Sequence, residues 1–484
     1  MEQKQTTPDP VAMGDVPAAE SATCQGLRSY QRTLLGRFDR RVLRHPAARA
    51  GLGVLLGAAL IVPSIQFVTR IQQTDVSLWR QGGERHKTAL GRWLPTAEVL
   101  TRGDDDANPY GLRHWIPTTP PVLISLVPLA KLGYLGAGVV WSVLKVGGFL
   151  VAMFVFIRSL EREDFALPLG VLVAAGAFSI RPVISDIQHG NLNIFMVIWL
   201  ALAWAMYVRQ RDLWAGLFVA LAIVTKLTPA LVLVYFVYKR AWRVCLGAGL
   251  GLVVLCVVLP GAALGFERAL TFWQGWYAML VRPFAEQGYV TLDIANQSLG
   301  GVALRLLSNA GVLDIEEMGA TALFSAGMER MARPASALGR LLRPAIAAGV
   351  LAALGGLCRS RTASRRDPRL LLEYGLVLLA MLLLSERTWK HHATTLPIVY
   401  LGVWMVLTCV DFSDRFRAWF VAGLVVQLFL LVGSTAGLLT DAVAELLLDG
   451  GVFCWGLVLC FVQTGVLLVA AHRRLNRSDH IDAQ

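Results

Sequence analysis

Long apolar stretches alternate with short polar ones along almost the whole chain. About 20 apolar residues in an α-helix are enough to cross the hydrocarbon core of a bilayer. The pattern therefore predicts an all-α polytopic membrane protein with about twelve transmembrane helices. The predicted spans are 51–68, 139–157, 165–180, 192–208, 213–225, 227–238, 244–264, 345–357, 370–384, 396–410, 418–439 and 452–471.

Two neighbouring spans are unusually short, and they meet at Lys226. A broken helix pair is tolerated in a membrane only where protein or a water-filled cavity satisfies the freed backbone groups. The apolar stretch 120–132 is also short. We predict that it lies at the membrane interface or dips into it rather than crossing.

The composition agrees with a membrane protein. Hydrophobic residues make up 55% of the 484, charged residues make up 16%, and the mean hydropathy is +0.56. A soluble protein carries roughly a quarter charged residues. The net charge of +12 arises from Arg and Lys in short loops between spans. Such loops are typical of the cytoplasmic side and of contact with membrane lipids, so no nucleic-acid partner is predicted.

The distribution of Arg and Lys predicts the orientation. With both termini in the cytoplasm, twelve passes place the basic short loops inside, as the positive-inside rule requires. We therefore predict a multi-pass protein of the plasma (inner) membrane. The predicted segments are a disordered cytoplasmic tail over 1–46, a transmembrane domain over 47–472 with external loops 70–134 and 265–343 after the first and seventh spans, and a cytoplasmic tail over 473–484.

The chemically capable residues fall on the predicted external side. Asp75 follows the first span, where a carboxylate could act as a general base, as a helix N-cap or as a solvated loop charge. Lys226 lies within apolar sequence, where an ammonium group needs a partner. A phosphate, a nearby Asp or a cluster of carbonyls would each satisfy it.

Two further motifs open or link spans on the same side. His189-Gly190-Asn191-Leu192-Asn193 could bind hydroxyls or phosphate at a helix N-terminus, or Asn191 could simply cap the helix. The segment 385–392 contains Arg387, Trp389, His391 and His392. Adjacent histidines in a helix point about 100° apart, so we predict no metal site and favour hydrogen bonds to a phosphate or a sugar.

Taken in order, these segments resemble glycosyltransferase family 87, a branch of the GT-C transferases that use polyprenyl-phosphate sugars. The resemblance covers roughly residues 50–410. The segments that carry it are Asp75, Tyr110 with 116–121, His189 to Asn193, Thr225 to Pro229, Asn296-Gln297-Ser298-Leu299 and the segment 385–392.

The resemblance implies a GT-C fold and an inverting transfer without metal or cofactor. The donor would be a polyprenyl-phosphate hexose, with mannose the best-known donor sugar of the family, and the acceptor a lipid- or glycan-linked hydroxyl. Asp75 would be the general base. The donor phosphate would be bound by Lys226, His391, His392 and Arg387, and the sugar or acceptor by Tyr110, His189, Asn191, Asn193, Asn296, Gln297 and Trp389.

Two alternatives to this function stay open, and the first rests on departures of the sequence from the family pattern. Glu386 stands where the family commonly has Pro, and Lys390 fills a position that is often acidic or polar. A noncatalytic protein of envelope assembly is one alternative. The other is a lipid or sugar transporter or flippase, for which Lys145 inside the second span is the best residue. Lys145 could instead reach the interface or pair within the protein.

Overall fold

The computed structural model describes residues 34–74, 88–101, 108–111, 116–161, 165–318, 331–360, 364–434 and 439–481. The α-helices within these ranges are α1 Leu34–Phe38, α2 Pro46–Ile71, α3 Ala89–Thr101, α4 Pro120–Ser125, α5 Val127–Ala130, α6 Gly133–Leu160, α7 Leu169–His189, α8 Asn193–Val208, α9 Asp212–Thr225, α10 Ala230–Tyr238, α11 Trp242–Val253, α12 Leu259–Leu264, α13 Phe266–Trp276, α14 Leu299–Asn309, α15 Ala337–Arg340, α16 Leu342–Leu357, α17 Pro368–Leu384, α18 Leu396–Cys409, α19 Asp414–Val432, α20 Asp441–Asp449 and α21 Val452–Ile481. Wider π-helical turns cover Asp39–Leu43, Val254–Val258 and Tyr277–Glu286, and 3₁₀ turns cover Pro109–Gly111 and Lys390–Thr395.

The predicted all-α polytopic membrane protein is confirmed. Eight helical stretches in the described part of the chain are long and apolar enough to cross a membrane. They are Pro46–Ile71, Gly133–Leu160, Leu169–His189, Trp242–Leu264, Ala337–Leu357, Lys390–Cys409, Asp414–Val432 and Val452–Leu475.

The count of twelve spans stays a prediction. The other four predicted spans coincide with helices of only 9 to 17 residues, namely α8, α9, α10 and α17. The predicted interfacial stretch 120–132 forms α4 and α5, with Pro120, Pro121, Val122 and Leu123 buried. Within the predicted tail, residues 34–43 are helical and Leu43 is buried.

One region of the predicted second external loop is not helical. A three-stranded antiparallel sheet with the order β1-β3-β2 forms from β1 Val290–Thr291, β2 Ile315–Glu317 and β3 Met331–Pro334. Strands of two to four residues carry too little alternation to be visible as a period in sequence. The sheet is held by its backbone ladder and by a small cluster around Val290, Leu304 and Ala332.

The core of the helical body lies around α17 and α18. Every residue of α18 is buried, and so is every residue from Leu370 to Leu383 of α17. A helix that is apolar on all sides is expected at the centre of such a bundle. One polar group there bonds within the protein, since the Tyr400 hydroxyl donates to Gln427 Oε1 over 2.9 Å.

The helical body has two chemically different ends. At one, the start of α8 meets the end of α9, where the Lys226 ammonium donates to Asn193 Oδ1. At the other, Arg365 donates to Asp212 at the start of α9 and to the Tyr207 carbonyl near the end of α8. We call these the site end and the basic end. Among the described residues, the motif residues Asn193 and Lys226 and the basic residue Arg365 therefore lie at opposite ends of α8 and α9.

Helices α9 and α11 approach so closely that only glycine fits between them. A Cβ atom on Gly216 would lie 2.2 Å from the Val244 carbonyl oxygen, and one on Gly247 would lie 2.4 Å from the Leu213 carbonyl oxygen. Small residues at such crossings let the backbones touch, which is how apolar helices gain contact energy in a membrane.

Replacing Gly216 by Ala should therefore push α9 and α11 apart. We expect Gly216→Ala to destabilise the protein by about 1–3 kcal/mol, the usual cost of overpacking, and to lower its midpoint of thermal unfolding in detergent. Gly249→Ala on α11 is the matched control because a Cβ there meets nothing within 4 Å. Equal midpoints for the two variants would contradict this packing.

Candidate functional site

The turn between α7 and α8 can be made only with glycine. Gly190 follows the last residue of α7 with φ of 63°, and its N–H bonds to the Asp186 and Ile187 carbonyls. A Cβ atom here would lie 2.1 Å from Phe67 Cε2 on α2. The Trp141 indole N–H of α6 donates to the Gly190 carbonyl over 3.1 Å. The turn is thus clamped by α2 and α6.

Two histidines stack against each other beside this turn. The His189 and His391 rings lie 4.6 Å apart with only 16° between their planes. Asn191 Oδ1 accepts from the Leu192 N–H over 2.7 Å, so the amide nitrogen of Asn191 faces His391 Nε2 at 3.1 Å. An amide nitrogen only donates, so Nε2 is the acceptor and the ring proton lies on Nδ1. Asn191 therefore orients His391.

Capping of α8 by Asn191, one of the two alternatives for this motif, is not what the structure shows. The Asn191 side chain bonds to the adjacent Leu192 N–H, and the first turn of α8 receives a different side chain. Asp186 Oδ2 accepts from the Ile194 N–H over 3.3 Å, and Asp186 Oδ1 accepts from Asn193 Nδ2 over 2.8 Å. A carboxylate suits a helix N-terminus because the orphan N–H groups carry partial positive charge.

Lys226 lies directly after α9, where the chain becomes extended with φ of −157° and ψ of 135°. Its Nζ donates to Asn193 Oδ1 over 3.1 Å. Burial lowers the pKa of the Lys226 ammonium to about 8, and the nearby carboxylates of Glu386 and Asp186 oppose that shift. The interruption of the helix thus brings a desolvated cation to the site end.

The segment 385–392 lines the same place with aromatic and basic side chains. Trp389 and His392 stack 6.1 Å apart with 7° between their planes, and the Arg387 guanidinium lies 5.9 Å from the Trp389 ring. The His391 and His392 rings meet edge to face at 4.7 Å. The Thr394 hydroxyl, just beyond, donates to the Asn193 carbonyl over 3.2 Å. This segment is therefore joined directly to the residues around Lys226.

Lys390 is turned away from that group. Its ammonium donates to the Ser434 carbonyl at the end of α19. Glu386 accepts from the Ser385 hydroxyl over 3.3 Å, and its charge acts on Lys226 and Arg343. The two departures from the family pattern therefore differ: Glu386 belongs to the electrostatic surroundings of Lys226, and Lys390 fastens the segment to α19.

Asn296 and Gln297 use their polar atoms to bond the protein itself. Both side chains are fully buried. Asn296 Nδ2 donates to the carbonyls of Thr291 and Glu386, and its Oδ1 accepts from the N–H groups of Ser298 and Thr388. Asn296 thus joins the loop after β1 to the segment 385–392.

Gln297 has a comparable role. Its Nε2 donates to the carbonyls of Ile294 and Leu448, and its Oε1 accepts from the Cys454 N–H over 3.2 Å. The same loop is thereby also fixed to the start of α21.

Tyr110 anchors the link that leads into α4. It is buried, and its hydroxyl donates to the Thr118 carbonyl over 2.7 Å. Thr119, which follows Thr118, donates through its hydroxyl to the Val224 carbonyl over 2.7 Å. Desolvation raises the pKa of Tyr110 well above its usual value. Tyr110 therefore holds the segment whose Thr119 hydroxyl bonds two residues before Lys226.

The predicted site residues thus fall into three groups. Asp75 lies outside the described residues. Eight lie at the site end, where Asn193 contacts Lys226 and the other six contact each other in a neighbouring cluster: His189, Asn191, Arg387, Trp389, His391 and His392. Those whose polar atoms bond to protein around that group are Tyr110, Asn296 and Gln297.

Sequence analysis missed the carboxylate beneath the site. Asp186 is fully buried and pairs with Lys145 over 2.7 Å. Internal pairing, one of the alternatives for Lys145, is what the structure shows. A signal was present, because Lys145 lies inside one predicted span and Asp186 lies just beyond another, 165–180. Opposite charges at membrane depth are expected to pair.

The comparison with known proteins decides the family. The model of "Glycosyltransferase family 87" matches residues 118–385, more than half of the chain. The chain belongs to glycosyltransferase family 87. The matched range of this family-87 protein includes His189, Asn193, Lys226 and Asn296, and the segment with His391 follows it.

Relatives and solved structures are also similar to this family-87 protein. It is 28% identical over 303 residues to the polyprenol-phosphate-mannose-dependent alpha-(1-2)-phosphatidylinositol mannoside mannosyltransferase of Mycolicibacterium smegmatis, a match that covers 61% of this chain and 60% of the relative. The apo crystal structure of ArnT from Cupriavidus metallidurans superposes with a TM-score of 0.40 at 16% identity, over 89% of this chain and 78% of ArnT. The structure of ArnT bound to undecaprenyl phosphate gives 0.38 at 15% identity, over 88% and 78%.

Removal of the Asn296 side chain should loosen the segment 385–392. Asn296→Ala leaves two buried carbonyls and two N–H groups without their partner, and each such loss costs about 1–3 kcal/mol. We expect a fall of at least about 2 kcal/mol in unfolding free energy, measured by denaturation in detergent. The control is Asn309→Ala, an exposed position with one 3.4 Å contact to Asp449. Equal stability of the two variants would contradict the proposed contribution of the Asn296 hydrogen bonds.

Proposed function

We propose that this protein transfers a hexose from a polyprenyl-phosphate donor to a hydroxyl of a lipid- or glycan-linked acceptor. Membership of family 87 supports the class of reaction, and the similarity to a polyprenol-phosphate-mannose-dependent relative supports a polyprenol-phosphate donor. The observation that carries the proposal is the position of Lys226. A desolvated ammonium lies in contact with Asn193 and beside the histidines and Arg387 of the segment 385–392.

The proposed chemistry is a single displacement at the anomeric carbon. The acceptor oxygen forms a bond to that carbon as the bond from carbon to the phosphate oxygen breaks, which inverts the configuration. The acceptor proton passes to a base, and Asp75, one residue beyond Thr74, is our candidate. Negative charge then develops on the leaving polyprenyl phosphate.

Lys226 would stabilise that developing charge. Preorganised donors aimed at a leaving anion are worth most where water is excluded, because the effective dielectric is low. Arg387, His391 and His392 supply further donors in the same place. Asn191 and His189 fix the orientation of His391 through the amide contact and the ring stack. Mannose is the first donor sugar to test because the relative is named for it.

The proposed topology places the site end outside. The basic end carries the Arg and Lys of the short loops, and the positive-inside rule puts that end in the cytoplasm. A polyprenyl-phosphate sugar would then be used on the external face, where the site end meets the lipid interface. The acceptor would reach the same face.

Transfer of labelled mannose from polyprenyl-phosphate mannose in isolated membranes tests this function. We expect product with the wild type and, for Asp75→Asn, a fall of about 100-fold or more, because general-base catalysis contributes about 10²–10⁴. Glu161→Gln is the control, since this residue pairs with Arg158 at the far end of α6. Activity retained in Asp75→Asn would exclude this base, and no transfer by the wild type from any polyprenyl-phosphate hexose would refute the proposed class.

The pH profile provides a separate test of Lys226. An ammonium with pKa of about 8 is charged below that pH and neutral above it, so kcat/KM should fall as pH rises through about 8. Lys226→Arg keeps its charge throughout this pH range. Its kcat/KM should be lower than that of the wild type but should not fall at alkaline pH. Measurements of kcat/KM between about pH 6 and 10 decide this. The exposed Lys131→Arg is the control. An identical alkaline fall in Lys226→Arg would show that another group titrates.

A further inference from the structure

The amide of Asn193 can be oriented in only one way. One of its neighbours is Asp186, whose carboxylate only accepts hydrogen bonds, and the other is Lys226, whose ammonium only donates. With the amide reversed, the carboxylate would face an oxygen and the ammonium would face an NH₂ group. The contacts of 2.8 Å to Asp186 and 3.1 Å to Lys226 therefore form only in the observed orientation.

The charge on Asp186 is what imposes that orientation. Asp186 is wholly buried, and an ionised carboxylate persists in such a place only if it is paired and hydrogen-bonded. Lys145 supplies the pairing at 2.7 Å and also donates to the Asp186 backbone carbonyl over 2.9 Å. The Ile194 N–H donates to Asp186 Oδ2. The carboxylate thus joins α6, α7 and the first turn of α8.

We infer that Asp186, held by Lys145, is a positioning residue that acts through Asn193 on the Lys226 ammonium. This inference rests on the proposed function, in which that ammonium meets the phosphate of the donor. A lysine side chain has four rotatable bonds and explores many rotamers unless an acceptor selects one. Asn193 Oδ1 is that acceptor, and the Asp186 carboxylate keeps it turned toward Lys226.

A second buried pair offers a matched comparison within the same chain. Lys239 and Glu373 pair over 2.7 Å, and the Glu373 carboxylate is as deeply buried as that of Asp186. This pair lies at the basic end, where Lys239 donates to the carbonyls of Cys358 and Ser360. Removal of either carboxylate should destabilise the protein, but only Asp186 is connected to Lys226.

The experiment is a double-mutant cycle read out as the Kd for polyprenyl phosphate. Full-length protein in detergent is titrated by calorimetry with a short-chain polyprenyl phosphate. We expect Lys226→Met to weaken binding by about 10-fold or more, as for loss of a charge-assisted hydrogen bond. Asp186→Asn should weaken it severalfold in the wild-type background and by less than about twofold in the Lys226→Met background.

Asn193→Ala guards against misfolding of the Asp186 variant. It keeps the Lys145–Asp186 ion pair intact and removes only the amide. In the wild-type background it should weaken the binding of polyprenyl phosphate as much as Asp186→Asn does. In the Lys226→Met background it should weaken binding no further. Glu373→Gln, the matched control, should lower the thermal midpoint without changing Kd by more than about twofold.

Each outcome bears on the inference. The positioning role is supported if Asp186→Asn and Asn193→Ala weaken binding in the wild-type background but not in the Lys226→Met background, while Glu373→Gln leaves Kd unchanged. If Asp186→Asn weakens binding by the same factor in both backgrounds, or if Glu373→Gln weakens binding as much as Asp186→Asn does, the inference is overturned while the proposed function stands. No binding of polyprenyl phosphate by the wild type overturns the inference, and labelled transfer in membranes decides separately whether the proposed function stands.

Discussion

Charge buried among apolar helices must be neutralised inside the protein, and this constraint governs both ends of the structure. The Lys145–Asp186 and Lys239–Glu373 pairs each bring opposite charges to 2.7 Å. Removing one member of such a pair leaves an uncompensated charge, which is strongly destabilising. Each pair therefore holds its helices in one arrangement. At the site end, that arrangement also fixes the turn at Gly190 and the start of α8.

The sequence predicted the helices well because hydropathy depends on composition over a long window. It indicated that Lys226 needs a partner because a cation in apolar sequence is costly unless it is paired. It could not predict which partner, since a phosphate, a carboxylate and a carbonyl cluster would all serve. The choice of the Asn193 amide depends on how α8 and α9 pack. That packing is set by contacts between residues far apart in the chain.

The amide motifs show where inference from sequence stops. Asn and Gln carry the same donors and acceptors whether they contact a sugar or a backbone. In Asn296 and Gln297 these atoms are directed to carbonyl and N–H groups of four separate segments. Only the fold reveals this, because the partners are up to 157 positions away. Asn296 thereby joins the loop after β1 to the segment 385–392, and Gln297 joins the same loop to the start of α21.

The series of contacts from Lys145 through Asp186 and Asn193 to Lys226 also separates two tasks, the positioning of the ammonium and the neutralisation of buried charge. A single ion pair would combine them. A carboxylate in direct contact with Lys226 would fix the ammonium but would neutralise it and compete with an incoming phosphate. A neutral amide fixes the ammonium and leaves its charge in place. The carboxylate that orients the amide is neutralised separately by Lys145. Under the proposed function, Lys226 thus stays positioned and cationic before the donor arrives, so less reorganisation is needed when charge develops on the leaving phosphate.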